Sequence, residues 1–374
     1  MSHSLLCETV TGTTMAELIA ARDAATASDL VELRLDGVDD LQVAGALPGR
    51  QRPTIVTCRP VWEGGRFEGD EESRLRLLSE ALELGAEYVD VEWRAVRDTA
   101  RFPGFEALMR AGGDRVIVSS HDFDAMPQDL AVRAHAMRRS GARMIKIAAT
   151  PARLTDTLAL RDIAREGGAV VIGMGNTGLS TRLLATRFGS RWTYGGNGVA
   201  PGQIPPARML RQYRFKSIDD ATSLYGVVGK SAARALSPVL HNAAFAAAGL
   251  NAVCVPLHTA DVHDFLAFAD ALNFSGASLD ESVERDATAT SMQSDELARR
   301  AGKADMARRT GSSWESSYLG LTSAGGELTQ VAGSDAIAAQ VAVAERQFEW
   351  WTGQRPVSGV MRAAAELEQA SNPI

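Results

Sequence analysis

The chain has 374 residues, of which 45% are hydrophobic and 23% are charged, and its formal net charge is −7. This balance is typical of a globular protein, and the length predicts two domains or one barrel with an addition. The negative charge, without any block rich in lysine and arginine, argues against a nucleic-acid partner.

The N-terminal sequence and the cysteines indicate in which cellular compartment the protein is expected. The N-terminus lacks a basic segment followed by an apolar stretch, and no apolar run approaches the length of a membrane span. Cys7, Cys58 and Cys254 are widely spaced, odd in number and without a CxxC pair. We therefore expect a soluble cytoplasmic protein with no membrane contact and no structural zinc.

Short apolar strands alternate with amphipathic helical patterns through residues 1–216. Eight strands are predicted, at 5–10, 30–36, 54–59, 88–93, 115–121, 144–149, 169–173 and 192–195. The clearest helix follows Asp70, a capping residue, and ends at Gly85. Eight such units fit either a (β/α)8 TIM barrel or a doubly wound open sheet. Polar residues at the C-terminal ends of several strands favour the barrel, because barrel enzymes place their chemistry there.

The pattern changes after a linker predicted at 217–224. A strand at 225–228, a helix at 238–249 and a strand at 252–256 predict a second, smaller α/β domain over 225–374. Residues 275–333 are polar and weakly patterned, and a helix at 336–351 is apolar on one face. That face predicts packing against the barrel or against a second subunit in a homodimer.

Lys146 interrupts an otherwise apolar strand. Alternate strand residues share a face, so Ile145, Ile147 and Ala149 are expected on one side and Lys146 on the other. Loss of hydration there would lower the pKa of the ammonium group and make a nucleophilic amine available. The alternative is a lysine paired with a buried carboxylate, and this strand alone does not decide between them.

Seven further polar residues interrupt an apolar strand or follow one in a loop. They are Glu32, Arg34, Arg59, Glu63, His121, Arg182 and Gln203. A desolvated lysine condenses with a ketone to an iminium, which acidifies the adjacent carbon, and a histidine removes that proton. Arginines recognise a carboxylate, while Glu32 and Gln203 suit hydroxyl groups. The residues predict a small, anionic, hydroxylated ketone as substrate and a Schiff-base elimination or aldol cleavage.

The first half resembles the type I 3-dehydroquinate dehydratases, particularly those fused to shikimate dehydrogenase. The matching segments are VELRLD at 31–36, TCRP at 57–60, WEGG at 62–65, VSSHDF at 118–123, IKIA at 145–148, GLSTRL at 178–183 and APGQ at 200–203. The resemblance implies dehydration of 3-dehydroquinate in the shikimate pathway, without a metal ion or a diffusible cofactor. It departs at Val199, where the family often has serine, so one hydrogen bond near the lid is expected to be lost.

By this resemblance, Lys146 forms the Schiff base with the substrate C3 carbonyl. His121 is the general acid and base, assisted by Glu63, and Arg182 holds the carboxylate. Four further residues orient hydroxyl groups and shape the pocket: Glu32, Arg34, Arg59 and Gln203.

Residues 173–178 spell GxGxxG between a strand and a helix, which is the local context of a dinucleotide-binding turn. The acidic residue expected about 20 positions later is missing from 190–200. The motif also lies where the seventh barrel strand meets its loop. We interpret these glycines as serving close approach to the substrate rather than nucleotide binding.

The second half resembles a shikimate dehydrogenase that has lost essential parts. YGVVGK at 225–230 and LSPVLHN at 236–242 resemble the opening of that family, and Gln340 with QFEWWTG at 347–353 resembles its closing helix. Ala235 replaces a motif serine, Glu284 stands where the catalytic lysine is expected, and Asp305 stands for an asparagine. The resemblance provides no counterpart of the catalytic aspartate and no Gly-rich turn of a nucleotide-binding Rossmann domain.

Residues 225–374 are therefore interpreted as a truncated, degenerate substrate-binding lobe without dehydrogenase activity. Its role, whether structural, dimer-forming or ligand-sensing, stays open. The leading hypothesis for the chain is a dehydroquinate lyase. The alternatives are a bifunctional enzyme with residual NADP-dependent shikimate oxidation, a non-catalytic ligand-binding protein and a Schiff-base aldolase.

Overall fold

The computed structural model describes residues 3–97, 104–198, 200–319 and 334–371. These residues form two units, one of residues 1–152 and 159–207 and the other of residues 153–158 and 208–374. The predicted limits of 1–216, 217–224 and 225–374 stay a prediction.

The first unit is a nearly closed barrel of eight parallel strands in the order β7-β6-β5-β4-β3-β2-β1-β8. The strands are β1 Leu5–Val10, β2 Leu30–Arg34, β3 Thr54–Thr57, β4 Tyr88–Glu92, β5 Val116–Asp122, β6 Met144–Ala149, β7 Ala169–Gly173 and β8 Trp192–Gly195. The predicted α/β barrel is therefore confirmed. The second and third strands end earlier than predicted, because the chain turns into a 3-10 helix at Leu35–Gly37 and leaves the ladder after Thr57.

Helices follow most of these strands. They are α1 Met15–Ala24, α2 Val43–Ala46, α3 Glu71–Glu83, α4 Trp93–Arg97, α5 Gly104–Gly112, α6 Leu130–Arg139, α7 Thr157–Arg165, α8 Leu179–Leu183, α9 Ala185–Phe188 and α10 Pro206–Tyr213. Helix α3 begins as predicted, with the Asp70 side chain accepting a hydrogen bond from the Ser73 amide. It buries Leu75, Leu78 and Leu82 on one face.

The barrel interior is filled from alternate positions of the strands. Met144 and Ala148 belong to the same buried cluster as Ile117, Val170 and Tyr194. Lys146 lies between Met144 and Ala148 on β6, so its side chain shares their face and points into the barrel. The strand register thus places an ammonium group among interior side chains.

The second unit contains one mixed sheet in the order β10-β9-β11-β13-β14-β12. Its strands are β9 Ser223–Val228, β10 Ala252–Leu257, β11 Phe274–Leu279, β12 Gln293–Ser294, β13 Met306–Thr310 and β14 Ser313–Ser317. Its helices are α11 Ser237–Ala247, α12 Val262–Leu272, α13 Glu284–Ala287, α14 Glu296–Ala301, α15 Ser334–Thr352 and α16 Val360–Ser371. In its described residues this is the only sheet, and no separate dinucleotide-binding sheet occurs among them.

The segment 275–333 is more regular than its sequence pattern suggests. Strands β13 and β14 form an antiparallel hairpin whose turn contains Gly311. The strands are short, and Arg308 and Arg309 fall within β13, so no apolar alternation marks them in the sequence. Residues 320–333 lie outside the described residues. The predicted closing helix at 336–351 forms as α15, and its Phe348 packs in the core of the second unit with Phe245.

Candidate active site

All eight residues singled out in the sequence line one cavity of about 70 Å³ in the barrel. They are Glu32, Arg34, Arg59, Glu63, His121, Lys146, Arg182 and Gln203. The cavity lies towards the C-terminal ends of the strands, because parallel strands bring their carboxyl ends to one rim. Its other walls include Thr9, Phe123 and Tyr194.

Lys146 is 4% exposed and is held between two buried carboxylates. Its Nζ atom lies 3.1 Å from Glu32 Oε1 and 3.1 Å from Asp90 Oδ2. The Tyr194 ring lies on another side, with its centroid 4.2 Å from Nζ. The buried ion pair considered as an alternative is therefore present, and the same lysine also lines the cavity. The two interpretations of Lys146 do not exclude each other.

The carboxylates beside Lys146 are kept ionised by cations. Burial alone would raise the pKa of Glu32, but the Lys146 ammonium brings that pKa below its ordinary value. Burial likewise opposes ionisation of Asp90, yet Arg59 and Lys146 hold the pKa of Asp90 below its usual range. Thr9 and Thr57 donate hydrogen bonds to Glu32, which fixes its orientation.

A chain of buried ion pairs extends away from the cavity. Arg59 Nη1 lies 2.9 Å from Asp90 Oδ1 and 2.5 Å from Glu92 Oε1, and Arg74 Nη1 lies 2.6 Å from Glu92 Oε2. Burial lowers the pKa of Arg59, but Asp90 and Glu92 raise it well above the ordinary value. Because Arg59 already pairs with two carboxylates, its first role in this geometry is to position them.

His121 and Glu63 form the second functional pair. The Glu63 carboxylate accepts a hydrogen bond from the His121 backbone amide at 2.8 Å, and the ring Nδ1 lies 3.3 Å from the same oxygen. With the proton on Nδ1, Nε2 is left as the basic nitrogen. Burial lowers the pKa of His121 well below its ordinary value, and the charges of Arg59 and Lys146 lower it further. The imidazole is therefore neutral near pH 7.

A tight turn brings Glu63 to the histidine. Val61–Glu63 form a single 3-10 turn that ends at Gly64 with a φ of +76°, a conformation that favours glycine. A Cβ atom at Gly64 would lie 2.7 Å from the Phe123 ring, which stacks on His121. Burial raises the pKa of Glu63 to about 7, although the hydrogen bond from the His121 amide opposes this. This carboxyl group therefore titrates near neutrality.

Arg182 is a buried cation, and no described carboxylate pairs with it. It is 2% exposed, and it donates hydrogen bonds to the carbonyl oxygens of Tyr194 and Pro201, each at 3.1 Å. Its Nε atom has no hydrogen-bond partner among the described residues. Burial lowers the pKa of Arg182 to about 10. A buried guanidinium group with an unused N–H donor has the chemistry that suits an anion.

In contrast to Arg182 Nε, the side chains of Arg34 and Gln203 are held by hydrogen bonds to other protein groups. Arg34 forms a two-pronged pair with Asp36, with both contacts at 2.8 Å. Gln203 accepts a hydrogen bond from the Ala200 amide at 3.1 Å and contacts Thr9 Oγ1 at 3.4 Å. Both residues line the cavity, but their side chains are also held by the protein. Val199 lies outside the described residues, so the hydrogen bond expected to be lost there stays a prediction.

Asp90 and Tyr194 contact Lys146 directly but were not singled out from the sequence. Asp90 and Glu92 alternate with Val91 on β4, the same pattern that drew attention to Glu32 and Arg34 on β2. That signal was available in the sequence. No sequence pattern marks Tyr194, because an aromatic residue in a strand usually belongs to the hydrophobic core.

The glycines of the GxGxxG motif serve close packing of the barrel. A Cβ atom at Gly178 would lie 2.2 Å from the carbonyl carbon of Gly173, so the end of β7 and the start of α8 touch through their backbones. Gly175 has a φ of +70°. The turn precedes α8, which contains Arg182. These contacts account for the motif without a nucleotide.

The second unit has a buried carboxylate, Glu284, where the resemblance to shikimate dehydrogenase leads us to expect a lysine. Glu284 is 4% exposed, and its Oε2 atom lies 3.2 Å from Lys303 Nζ. Asp305 is buried and accepts hydrogen bonds from the Leu319 amide. Ala235 and Ser237 line a cavity of about 610 Å³ together with Glu284. The residues that depart from the shikimate dehydrogenase pattern thus lie in or near one cavity.

The described residues also bear on the expectations about membranes and metals. Among the described residues, no helix has the length and apolar character needed to cross a membrane. In the same ranges, no three histidine, cysteine or acidic side chains are grouped as metal ligands.

Comparisons with known proteins agree with the barrel geometry. A family model described as type I 3-dehydroquinase matches residues 6–220, more than half of the chain. The 3-dehydroquinate dehydratase of Methanosarcina barkeri is 37% identical over 206 residues, covering 50% of this chain and 84% of that protein. A crystal structure of type I 3-dehydroquinate dehydratase from Clostridium difficile matches with a TM-score of 0.50 at 24% identity. It covers 59% of this chain and 95% of that one, and it supports the fold alone.

One relative extends beyond the barrel. The bifunctional 3-dehydroquinate dehydratase/shikimate dehydrogenase of Arabidopsis thaliana is 33% identical over 289 residues, which cover 74% of this chain. That coverage reaches past the end of the family match, so it includes part of the second unit. This chain spans only 47% of the length of the Arabidopsis protein.

Proposed function

This chain belongs to the type I 3-dehydroquinase family, and we propose that it dehydrates 3-dehydroquinate to 3-dehydroshikimate through a Schiff base on Lys146. The observation that supports this most is the composition of one cavity. It contains a buried lysine, a histidine that is neutral near pH 7 and a buried arginine whose Nε has no hydrogen-bond partner among the described residues. These groups suit a nucleophile, a base and a carboxylate clamp for an anionic ketone.

The first step is the attack of Lys146 Nζ on the C3 carbonyl carbon. Nζ must first give up a proton, and Glu32 and Asp90 are poor acceptors because their pKa values are lowered. Neutral His121 in the same cavity is the better acceptor. His121 returns that proton to the carbinolamine hydroxyl group, which leaves as water, so that an iminium forms and the imidazole is neutral again. Glu32 and Asp90, at 3.1 Å from Nζ, stabilise its positive charge.

His121 then performs the proton transfers of the elimination. Its Nε2 removes a proton from C2, and the electron pair moves into the iminium to form an enamine. The same histidine returns the proton to the C1 hydroxyl group, which leaves as water. Hydrolysis of the conjugated iminium consumes the water released earlier and frees Lys146, so the net reaction is the loss of one water. Glu63 stabilises the imidazolium form through Nδ1.

The direct test uses the purified chain and 3-dehydroquinate. We expect the ultraviolet absorbance of the conjugated enone product to grow with time. We also expect borohydride with substrate to add a stable mass to the peptide containing Lys146. The site of labelling is unambiguous, because Lys146 is the only lysine before residue 216. Carbon–carbon cleavage products would instead indicate an aldolase, and neither turnover nor adduct would indicate a non-catalytic binding protein.

Arg182→Gln tests the proposed carboxylate clamp. A charge-assisted hydrogen bond is worth roughly 1.5–3 kcal/mol, so KM for 3-dehydroquinate should rise about 10- to 100-fold. Because the guanidinium group binds a part of the substrate that does not react, kcat should fall much less. Steady-state kinetics measure both constants. A fall in kcat with an unchanged KM would contradict this role.

Glu63 predicts a pH dependence with a defined sign. Its pKa of about 7 means that the carboxylate that supports His121 forms only as the pH rises through 7. We therefore expect kcat/KM to rise with pH through this region in the native enzyme, and this rise should be absent from Glu63→Gln. A rate profile for Glu63→Gln that keeps the same midpoint would assign the titration to another group.

The titration of Glu63 should change the stability of the fold in the opposite direction to kcat/KM. The folded protein holds the Glu63 proton up to about pH 7, whereas the unfolded chain releases it near 4.5. This group therefore lowers the unfolding free energy progressively as the pH rises from about 4.5 through 7. Denaturant titrations of the native protein and Glu63→Gln at several pH values would measure the difference.

The second unit is proposed to lack shikimate oxidation. Glu284 occupies the position expected for a lysine, and its buried carboxylate would repel an anionic substrate. The alternative of a bifunctional enzyme is tested by supplying shikimate and NADP⁺. Reduction of the cofactor would establish it, and the absence of reduction at saturating concentrations would exclude it.

A further inference from the structure

We propose that the cavity of about 610 Å³ in the second unit binds a small apolar molecule bearing a positively charged amino group. The cavity lies beside the carboxyl ends of the parallel strands β9 and β11, where open α/β sheets place their ligands. Helix α15 contributes Val343 and Ala344 to another wall. The volume is sufficient for a six-membered ring with a short side chain.

The acidic groups in this cavity outnumber the basic ones. Among the described residues, the lining includes Asp280, Glu281 and Glu284, and Arg234 is its only basic side chain. Asp280 is occupied by the protein, because Ser231 and Ser282 each donate a hydrogen bond from the amide and another from the hydroxyl. Asp280 therefore builds the wall, and Glu281 and Glu284 are the carboxylates that remain for a ligand.

Glu284 is a buried carboxylate with spare capacity to accept hydrogen bonds. Lys303 contacts its Oε2 atom at 3.2 Å, and among the described residues no donor contacts Oε1. A carboxylate accepts several hydrogen bonds, and a buried one is costly unless these are made. An ammonium group has three donors and a full positive charge, so it satisfies Glu284 better than a hydroxyl group would.

The uncharged part of the lining is mixed, and its apolar part suits a hydrocarbon body. The polar members are Ser231, Ser237, Ser278, Gln340 and Gln347, and the others are apolar. Val227, Leu236, Leu240 and Leu279 line the cavity without a hydrogen-bonding side chain. Arg234 is exposed and has no carboxylate partner in the described part of the chain, so it is available to a ligand that also carries a carboxylate. Both a simple arylalkylamine and an apolar amino acid fulfil this chemistry. A hydroxylated carboxylic acid without an amine does not, because Glu281 and Glu284 repel it.

Isothermal titration of the full chain with three matched compounds tests the proposal. Phenethylamine has the amine and the ring, L-phenylalanine adds a carboxylate, and 3-phenylpropionate keeps the carboxylate but lacks the amine. We expect saturable binding of one or both amines and binding of 3-phenylpropionate at least tenfold weaker. Tighter binding of L-phenylalanine than of phenethylamine would also assign the carboxylate to Arg234. Failure of both amines to bind, or a preference for 3-phenylpropionate, overturns the proposal.

Variants locate the site. Glu284→Gln keeps the shape and removes the charge, and it should weaken amine binding about 10- to 100-fold. Because Glu284 is buried beside Lys303, Glu281→Gln provides an exposed second variant that should weaken binding in the same direction. Glu366→Gln makes the same charge change on α16 outside the cavity and is the control. Equal affinity in both cavity variants and the control overturns the site. Binding should persist in Lys146→Ala, so this test is independent of the proposed dehydratase.

Discussion

Replacing Lys146 with alanine is expected to abolish dehydratase turnover and borohydride trapping together. The proposed iminium forms through a covalent bond to Nζ, and residues 1–215 contain no second lysine that could replace it. The measurements are the rate of enone formation and the mass of the intact protein after reduction with substrate. Turnover by Lys146→Ala at more than a small fraction of the native rate would rule out the covalent mechanism.

Removal of this lysine also leaves Glu32 and Asp90 without their shared cation. A loss of activity by unfolding must therefore be separated from a loss of chemistry. Lys146→Met fills most of the same space, and its circular dichroism and denaturation midpoint would show whether the barrel is intact. Lys230→Ala, an exposed lysine of the second unit, is the matched control and should retain native turnover and trapping.

Replacing His121 with alanine should slow turnover by roughly 10²- to 10⁴-fold, the usual contribution of a positioned acid–base group. In contrast to Lys146→Ala, this variant should still form an adduct with substrate and borohydride, although more slowly, because Nζ remains and water can take its proton in place of His121. Single-turnover experiments with 3-dehydroquinate deuterated at C2 would locate the effect in proton removal. His135→Ala on α6 is the control, since its exposed ring lies outside the cavity.

Two results would contradict the role given to His121. A loss of less than tenfold would show that another group or water performs the proton transfers. Complete loss of trapping, even on long incubation, would show that Nζ cannot form the iminium without His121, against the adduct expected above. Comparison with Glu63→Gln then separates a loss of imidazole orientation from a loss of proton transfer. Glu63 contacts the imidazole through Nδ1 and not through the basic Nε2.

Much of the barrel could be predicted from the residues alone. The eight strands form at the predicted places because their apolar runs, glycines and capping residues are local signals. Helix α3 illustrates this, since Asp70 caps it and its leucines repeat at helical spacing. The second unit was harder, because β13 contains two arginines and lacks an apolar period. Only pairing with β11 and β14 makes that segment a strand.

The sequence by itself determined which residue types stand at the strand ends, and therefore that Lys146, His121 and Arg182 suit Schiff-base chemistry on an anion. The strand around Lys146 by itself left open whether this residue is a nucleophile or an ion-pair partner. Only the tertiary structure revealed the buried ion pair, because Glu32, Asp90 and Tyr194 reach Nζ from strands far away in sequence. Barrel closure brings them together, and the resulting burial shifts the pKa values of His121 and Glu63. Spacing along one strand contains no information about these distances.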